Sequence, residues 1–130
     1  MKVTQKKVVT NMGGKARVFI VNKSAHDFTA AEEYGEIIFL SEGSMNRYAT
    51  NSMMRQFAEI MESSQGTDYI VPCSLNVMNS IACAIFAWMH GRLNLLLFKN
   101  GEYIERNHVF NGIKKGGQNG IRKNTQEVEN

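Results

Sequence analysis

The chain has one proline and two cysteines among its 130 residues, and it lacks any long apolar run. A transmembrane helix needs about 20 consecutive apolar residues, and the longest apolar run here, residues 81–89, is too short to cross a bilayer. Residues 1–17 are polar and lack the apolar stretch of a secretory signal peptide. We therefore expect a cytoplasmic protein that does not contact membranes.

Cysteine and histidine are too sparse to build a disulfide framework or a metal site. Cys73 and Cys83 suit free thiols in a reducing compartment, and no histidine stands at a ligand spacing from either of them. The chain also lacks the GxxxxGK[ST] phosphate loop and a GxGxxG turn after a strand. These absences argue against NTP hydrolysis and dinucleotide-dependent redox chemistry, so we expect no metal and no cofactor.

The net charge of +3 is concentrated at the two ends of the chain. Residues 1–17 carry five basic side chains and no acid, and residues 114–130 carry four against two acids. The body between them has ten acids and six basic residues. A nucleic-acid-binding groove on the body is therefore disfavoured, whereas basic ends that touch phosphate remain an alternative.

Short apolar runs alternate with helical patterns along the chain, which is typical of an α/β fold. We predict strands at 17–22, 36–41, 68–74, 93–99 and 102–109, and helices at 30–34, 51–63 and 76–90. A capping box from Thr29 to Glu32 begins the first helix, and Gly91 ends the last one. The dipeptide Asn100-Gly101 predicts a β-hairpin.

This order predicts a three-layer, Rossmann-like or flavodoxin-like sheet with helices on both faces. About four parallel strands take the order 2-1-3-4, and the hairpin adds an antiparallel edge strand. Residues 17–112 form a single α/β domain. Residues 1–16 are expected to be a basic arm or edge strand, and residues 113–130 a flexible polar tail.

Ligands of open α/β sheets bind beyond the carboxyl ends of strands, where neighbouring connections diverge. Here that point lies between the first and third strands. The helix that begins at Asn76 offers free N–H donors there, and such donors attract phosphate. Serine and asparagine also cap helices, so capping alone is the alternative interpretation. The candidate ligand-binding residues at this edge are Asn22, Lys23, Ser24, Ser74, Asn76 and Asn79.

Three side chains raise the possibility of catalysis. His26 and Asp27 follow the first strand, and Glu42 follows the second. A glutamate nucleophile or base with a nearby histidine would suit cleavage or transfer at a nucleoside glycosidic bond. Alternatively, Asp27 caps the short helix and His26 is a loop residue. Cys73 is either an activated thiolate at a helix N-terminus or a small apolar residue.

The helix at 76–90 is apolar almost all round and carries a strip of small residues, Ser80, Ala84 and Ala87. Such a strip allows close approach of another backbone, so we expect a homodimer or a higher homo-oligomer. Five methionines suit either an interface or the core: Met53, Met54, Met61, Met78 and Met89.

The stretches NKSAHDF (22–28), EIIFLSEG (36–43) and MNRYATNSMMRQFA (45–58) resemble uncharacterised small proteins of bacteriophage and prophage genomes. The resemblance implies a Rossmann-like fold and a nucleotide-related role in phage–host conflict, such as binding a host defence signal. It also implies ligand groups at Asn46 and Arg47. The leading hypothesis is a protein that holds a nucleotide-like, phosphate-bearing molecule and sequesters a signalling nucleotide. The alternatives are a nucleoside- or nucleotide-processing enzyme and a protein-interaction module.

Overall fold

Five strands form one mixed sheet in the computed structural model, which describes residues 15–113. The spatial order is β2-β1-β3-β4-β5, with parallel pairing from β2 to β4 and antiparallel pairing between β4 and β5. The predicted α/β class, strand order and antiparallel edge strand are thus confirmed. Nearly all of the predicted N-terminal arm and C-terminal tail lies outside the described residues. The strands are β1 (Arg17–Ile20), β2 (Glu36–Phe39), β3 (Tyr69–Val71), β4 (Arg92–Lys99) and β5 (Glu102–Val109).

Two α-helices, α1 (Thr50–Ile60) and α2 (Asn76–His90), cover one face of the sheet. A 3-10 turn, Met61–Ser63, follows α1, so the predicted helix at 51–63 changes its hydrogen-bond pattern in the last turn. Helix α2 has the predicted bounds and ends at Gly91, whose φ of 69° is left-handed and favours glycine. The core on this face includes Phe19, Phe57, Ile70, Met78 and Phe86.

Within residues 15–113, the opposite face carries one five-residue 3-10 helix, Thr29–Glu33. Its Ala31 and the preceding Phe28 pack with Val18 and Ile20 in a second core cluster. The sequence predicts a helix of the same length at 30–34, so the helical cover on this face is as small as expected. As a result, the loop after β1 reaches the β4–β5 hairpin, where the Tyr103 hydroxyl lies 3.5 Å from the His26 Nε2.

The predicted capping box at the start of this 3-10 helix is wrong. Phe28 occupies the N-cap position and makes no side-chain capping hydrogen bond. The carboxylate of Asp27 instead accepts hydrogen bonds from the hydroxyl of Thr29 and from its backbone N–H, the latter at 2.9 Å. An aspartate commonly accepts a bond from the backbone two residues ahead, so the stabilising side chain lies before the position that the pattern indicates.

Three of the five methionines belong to the core. Met53, Met61 and Met78 are almost fully buried, whereas Met54 and Met89 keep 47% and 37% of their surface exposed. Core packing therefore accounts for the first three, and only the last two are accessible at the surface of this chain.

The hairpin predicted from Asn100-Gly101 is confirmed. Both residues have positive φ, 51° and 83°, as a two-residue type I′ turn requires. The turn sets the register of β4 against β5, in which Phe98 faces Tyr103. Within residues 15–113, no helix has the length and hydropathy that a membrane span needs.

Candidate functional site

An open groove of about 440 Å³ lies at the carboxyl ends of β1 and β3. We call it the strand-end groove. It is formed by the loops after β1, β2 and β3 and by the first turn of α2. This is the edge of the sheet at which the topology favours a ligand. The groove is lined by Asn22, Ser24, Gly43, Ser44, Met45, Arg47, Ser74, Leu75 and Met78.

A second depression, of about 580 Å³, adjoins the strand-end groove. The two share Arg47, Ser74 and Leu75. Of the residues that the structure describes, no aspartate or glutamate lines the groove or the depression. A bound anion would therefore meet no lining carboxylate. The depression adds Tyr48, Thr50, Asn76 and Val77 to the wall.

Asn22 shapes the wall of the groove. It is 3% exposed, and its Nδ2 donates to the Ser41 Oγ at 2.9 Å and to the Gly43 carbonyl at 3.0 Å. The Ser41 hydroxyl in turn donates to the Val21 carbonyl at 2.7 Å. The amide of Asn22 thus holds the loop after β2 against the end of β1.

Lys23 and Glu42 are brought together, but away from the groove. The Lys23 Nζ lies 3.8 Å from the Glu42 Oε2 and 5.4 Å from the ring centroid of Phe39. Phe39 packs with the cluster on the 3-10 helix side, whereas Met45 and Met78 of the groove pack on the α-helical side. Both charged groups are mostly exposed, and such pairs contribute little to stability.

The turn between β3 and α2 is held in a strained conformation. Ser74 has a φ of 69°, and the left-handed region costs a non-glycine residue about 1–2 kcal/mol. The Asn79 Oδ1 accepts a hydrogen bond from the backbone N–H of Cys73 at 2.8 Å. This bond ties the first turn of α2 to the end of β3 and places Ser74 in both the groove and the depression.

No side chain among the described residues caps the N-terminus of α2. Its N-cap residue, Leu75, makes no side-chain hydrogen bond, and the first turn contains no acidic residue. The leading N–H groups of a helix have no intrahelical acceptor, and they carry the positive end of the helix dipole. The N–H groups of Asn76 and Val77 are therefore available to a ligand at the wall of the depression.

Arg47 supplies a positive charge beside this helix end. Its side chain is exposed and lines both the groove and the depression. Among residues 15–113, Arg47 forms no ion pair, whereas Lys23 and Glu42 pair with each other. The side chain of the neighbouring Asn46 bonds within its own loop, where its Oδ1 accepts a hydrogen bond from the backbone N–H of Tyr48 at 2.9 Å.

His26 and Asp27 have partners other than Glu42. The His26 ring centroid lies 4.8 Å from that of Phe28 and 4.6 Å from that of Phe98. Hydrogen bonds from Thr29 lower the pKa of Asp27. Within the described part of the chain, no hydrogen bond or ion pair connects Glu42 to either residue. The structure therefore does not assemble these three side chains into one cluster.

Cys73 has the environment of a small, half-buried residue. Burial raises the pKa of its thiol, although hydrogen bonding to the backbone of Asn22 and Val21 partly opposes this shift. The Sγ donates to the Asn22 carbonyl at 3.5 Å. An activated thiolate requires a lowered pKa, so the thiol at this helix start is poorly suited to nucleophilic attack.

The sequence pattern did not single out Ser44, Met45, Tyr48 and Thr50 as residues of the site. All four follow the end of β2. Because the parallel strands β1, β2 and β3 end at the same edge of the sheet, this position in the chain is the signal from which the four residues could have been predicted. The pattern alone does not show which side chains of a loop turn toward the groove.

The fold and the groove define a small α/β protein with an open, polar site at the carboxyl edge of its sheet. Residues 16–110 match the model of a family described as Phage Pam3 gp32-like protein, and this range contains every described strand and helix. The chain therefore belongs to the phage Pam3 gp32-like family, which confirms the resemblance to phage proteins. No match was found among curated proteins or among solved structures.

Proposed function

We propose that this phage protein binds, without catalysis, a nucleotide-like, phosphate-bearing molecule in the strand-end groove. The observation that carries the proposal is the position of Arg47, which has no ion-pair partner among residues 15–113 and lines the groove together with the uncapped start of α2. Helix N-termini bind phosphate through free N–H groups, and a guanidinium contacts phosphate with two parallel hydrogen bonds.

Three kinds of donor converge on the same space. Arg47 contributes a guanidinium, Ser24 and Ser74 contribute hydroxyls, and Asn76 contributes a backbone N–H at the adjoining wall. The absence of aspartate and glutamate from the lining that residues 15–113 provide supports an anionic ligand. The volume of about 440 Å³ also falls in the range of small-molecule sites.

Membership of a phage family supports a role in phage–host conflict. In this role the protein sequesters a signalling nucleotide of the host in the cytoplasm, where such a signal would act. The protein acts as a homodimer, in which the small-residue strip of α2 contacts a second copy. Sequestration requires tight binding and no turnover, so a bound nucleotide is recovered intact after prolonged incubation, and Glu42→Gln leaves the result unchanged.

Thermal unfolding in the presence of candidate ligands tests this proposal. The panel comprises nucleoside mono- and diphosphates, cyclic nucleotides, dinucleotides and inorganic phosphate. A ligand at 100 times its Kd stabilises the native state by about 2.7 kcal/mol, so at least one compound is expected to raise Tm clearly. Arg47→Ala removes the rise, whereas Arg55→Ala, an exposed arginine on α1 outside the groove, retains it. If no compound raises Tm, or if Tm rises equally in the wild type and in Arg47→Ala, the proposal is contradicted.

A further inference from the structure

A second cavity opens at the same carboxyl edge, on the side of the sheet that carries the 3-10 helix. It encloses about 300 Å³, and we call it the aromatic pocket. It lies between the loop after β1, the end of β3 and the β4–β5 hairpin. Ser24 lines both the aromatic pocket and the strand-end groove, so the two cavities are contiguous at this residue. The lining of the aromatic pocket includes Ser24, His26, Phe28, Cys73, Phe98 and Tyr103.

Four rings form the wall of the aromatic pocket. The His26 ring meets Phe28 and Phe98 edge to face, with centroids 4.8 and 4.6 Å apart, and Phe98 meets Tyr103 at 5.1 Å. Aromatic pairs favour such edge-to-face contacts, so the rings support one another. Phe98 nevertheless keeps 48% of its surface exposed. The pocket is therefore preformed, and one of its rings is open to further stacking.

The polar groups of the aromatic pocket are few. The Tyr103 hydroxyl lies 3.5 Å from the His26 Nε2, and burial raises the pKa of Tyr103, so the hydroxyl stays protonated at neutral pH. Within the described part of the chain, no lysine, arginine, aspartate or glutamate lines the cavity. An apolar wall with a few hydrogen-bonding groups is suited to a flat, neutral ring with polar edges.

We propose that the aromatic pocket binds the nucleobase of the ligand whose phosphate lies in the strand-end groove. The inference rests on the proposed function of the groove. The base stacks on Phe98, its edge approaches the His26 ring and the Tyr103 hydroxyl, and the sugar passes Ser24 toward Arg47. The pocket volume of about 300 Å³ lies at the lower end of small-molecule sites, which suits one ring system rather than a whole nucleotide.

The test separates the base from the phosphate. Isothermal titration compares the four ribonucleoside 5′-monophosphates, ribose 5-phosphate, which lacks a base, and the four ribonucleosides, which lack a phosphate. Stacking of a base on an aromatic side chain changes affinity by about tenfold or more. At least one monophosphate is therefore expected to bind at least about tenfold more tightly than ribose 5-phosphate. Phe98→Ala removes this difference and Phe98→Leu reduces it.

Leu97→Ala is the matched control. Leu97 is adjacent on β4, is 39% exposed and lies outside the aromatic pocket, so its removal leaves the difference intact. Thiol alkylation provides a second readout that needs no variant. Cys73 lines the pocket and Cys83 does not. A bound monophosphate therefore slows iodoacetamide modification of Cys73 and leaves that of Cys83 unchanged, as measured by mass spectrometry of the peptides.

The outcomes distinguish this inference from the proposed function. If all monophosphates and ribose 5-phosphate bind equally, and Phe98→Ala changes neither, the base lies elsewhere and only the phosphate site stands. If ribonucleosides bind and protect Cys73 but no phosphate improves binding, the aromatic pocket stands and the proposed function fails. If nothing binds and Cys73 is never protected, both fail.

Discussion

The side-chain oxygen of Asn79 accepts a hydrogen bond from the backbone N–H of Cys73 at 2.8 Å, and this bond connects the first turn of α2 to the end of β3. Ser74, in the left-handed conformation, lies within the loop that the bond closes. The strand-end groove is therefore built on a turn with little freedom to move. A binding site gains affinity when its groups are held in place before the ligand arrives.

Loss of the Asn79 side chain should loosen this turn. Asn79→Ala leaves the Cys73 N–H without its acceptor, and such a loss typically costs about 1–2 kcal/mol of unfolding free energy. Urea denaturation monitored by circular dichroism measures the change. Asn76→Ala is the control, because Asn76 is exposed and its recorded bond uses only its backbone carbonyl. Equal stability of the two variants would show that the bond does not hold the turn.

Ser74→Gly should stabilise the fold. Glycine adopts a φ of 69° without the steric cost that serine meets, and the gain is about 1 kcal/mol after the greater flexibility of glycine in the unfolded chain is allowed for. Ser74→Ala retains the strain and gives no such gain. Thermal unfolding of the three proteins compares them. A lower Tm for Ser74→Gly than for Ser74→Ala would rule out strain at this position.

His90 should make stability depend on pH. Burial lowers its pKa, although Asp68 opposes the shift, and its Nε2 lies 2.8 Å from the Ser64 Oγ. In the unfolded chain His90 therefore takes up a proton near pH 6.5, whereas in the folded chain it is protonated only at lower pH. The contribution of neutral His90 to the free energy of unfolding is complete above about pH 6.5. It decreases as the pH falls toward the folded-state pKa of His90, and below that pKa it no longer changes.

The measurement for His90 is the free energy of urea unfolding at pH 7.5 and pH 5. His90→Gln should show a smaller loss between the two values than the wild type. His108→Gln changes an exposed histidine on β5 and serves as the control. If His90→Gln loses as much stability as the wild type, His90 does not contribute to the pH dependence.

Helix α2 presents the surface on which the predicted homodimer depends. Trp88 is 87% exposed, and Ser80 and Ala84 on the same helix are also exposed. Tryptophans at the centre of an interface often dominate its binding energy. Sedimentation equilibrium is expected to give twice the chain mass for the wild type and a shift toward monomer for Trp88→Ser. Tyr48→Ser, which removes an aromatic ring that is 83% exposed outside α2, keeps the dimer. A wild type that is monomeric at every concentration contradicts the homodimer.

The sheet was predictable because its signals are local. The alternation of strands and helices, with right-handed crossovers, leaves few orders for a small parallel sheet, and the observed order agrees. Gly91 determines where α2 ends, and Asn100-Gly101 determines the register of β4 and β5. These features depend on a few residues each and need no knowledge of tertiary packing.

The direction of Lys23 was not predictable. Strict alternation would place it with Phe19 and Val21 on the α-helical side, where the groove lies. Strand β1 ends at Ile20, however, and Lys23 lies over Phe39 on the other side. The chain bends at Val21 before Lys23 pairs again with Glu42 in an isolated bridge, so the alternation of β1 does not determine which face the Lys23 side chain takes, and the cation that lines the groove is Arg47 instead.

The aromatic pocket could not be predicted from the sequence for a different reason. The hairpin already implies that Phe98 and Tyr103 face each other, because two-residue turns fix the register. Their contact with His26 joins segments that are distant in the chain, and it depends on how little the 3-10 helix covers this face. No local pattern encodes such a contact.

Binding of a phosphate group against the start of α2 beside Arg47 is tested most directly by two-dimensional ¹H–¹⁵N NMR, with a phosphate compound that raises Tm titrated into the labelled protein. We expect the largest shifts on the backbone N–H signals of Ser74, Asn76 and Val77 and on the Arg47 Nε–H signal. If these four signals do not move and the shifts are concentrated elsewhere on the chain, the phosphate does not bind at the start of α2.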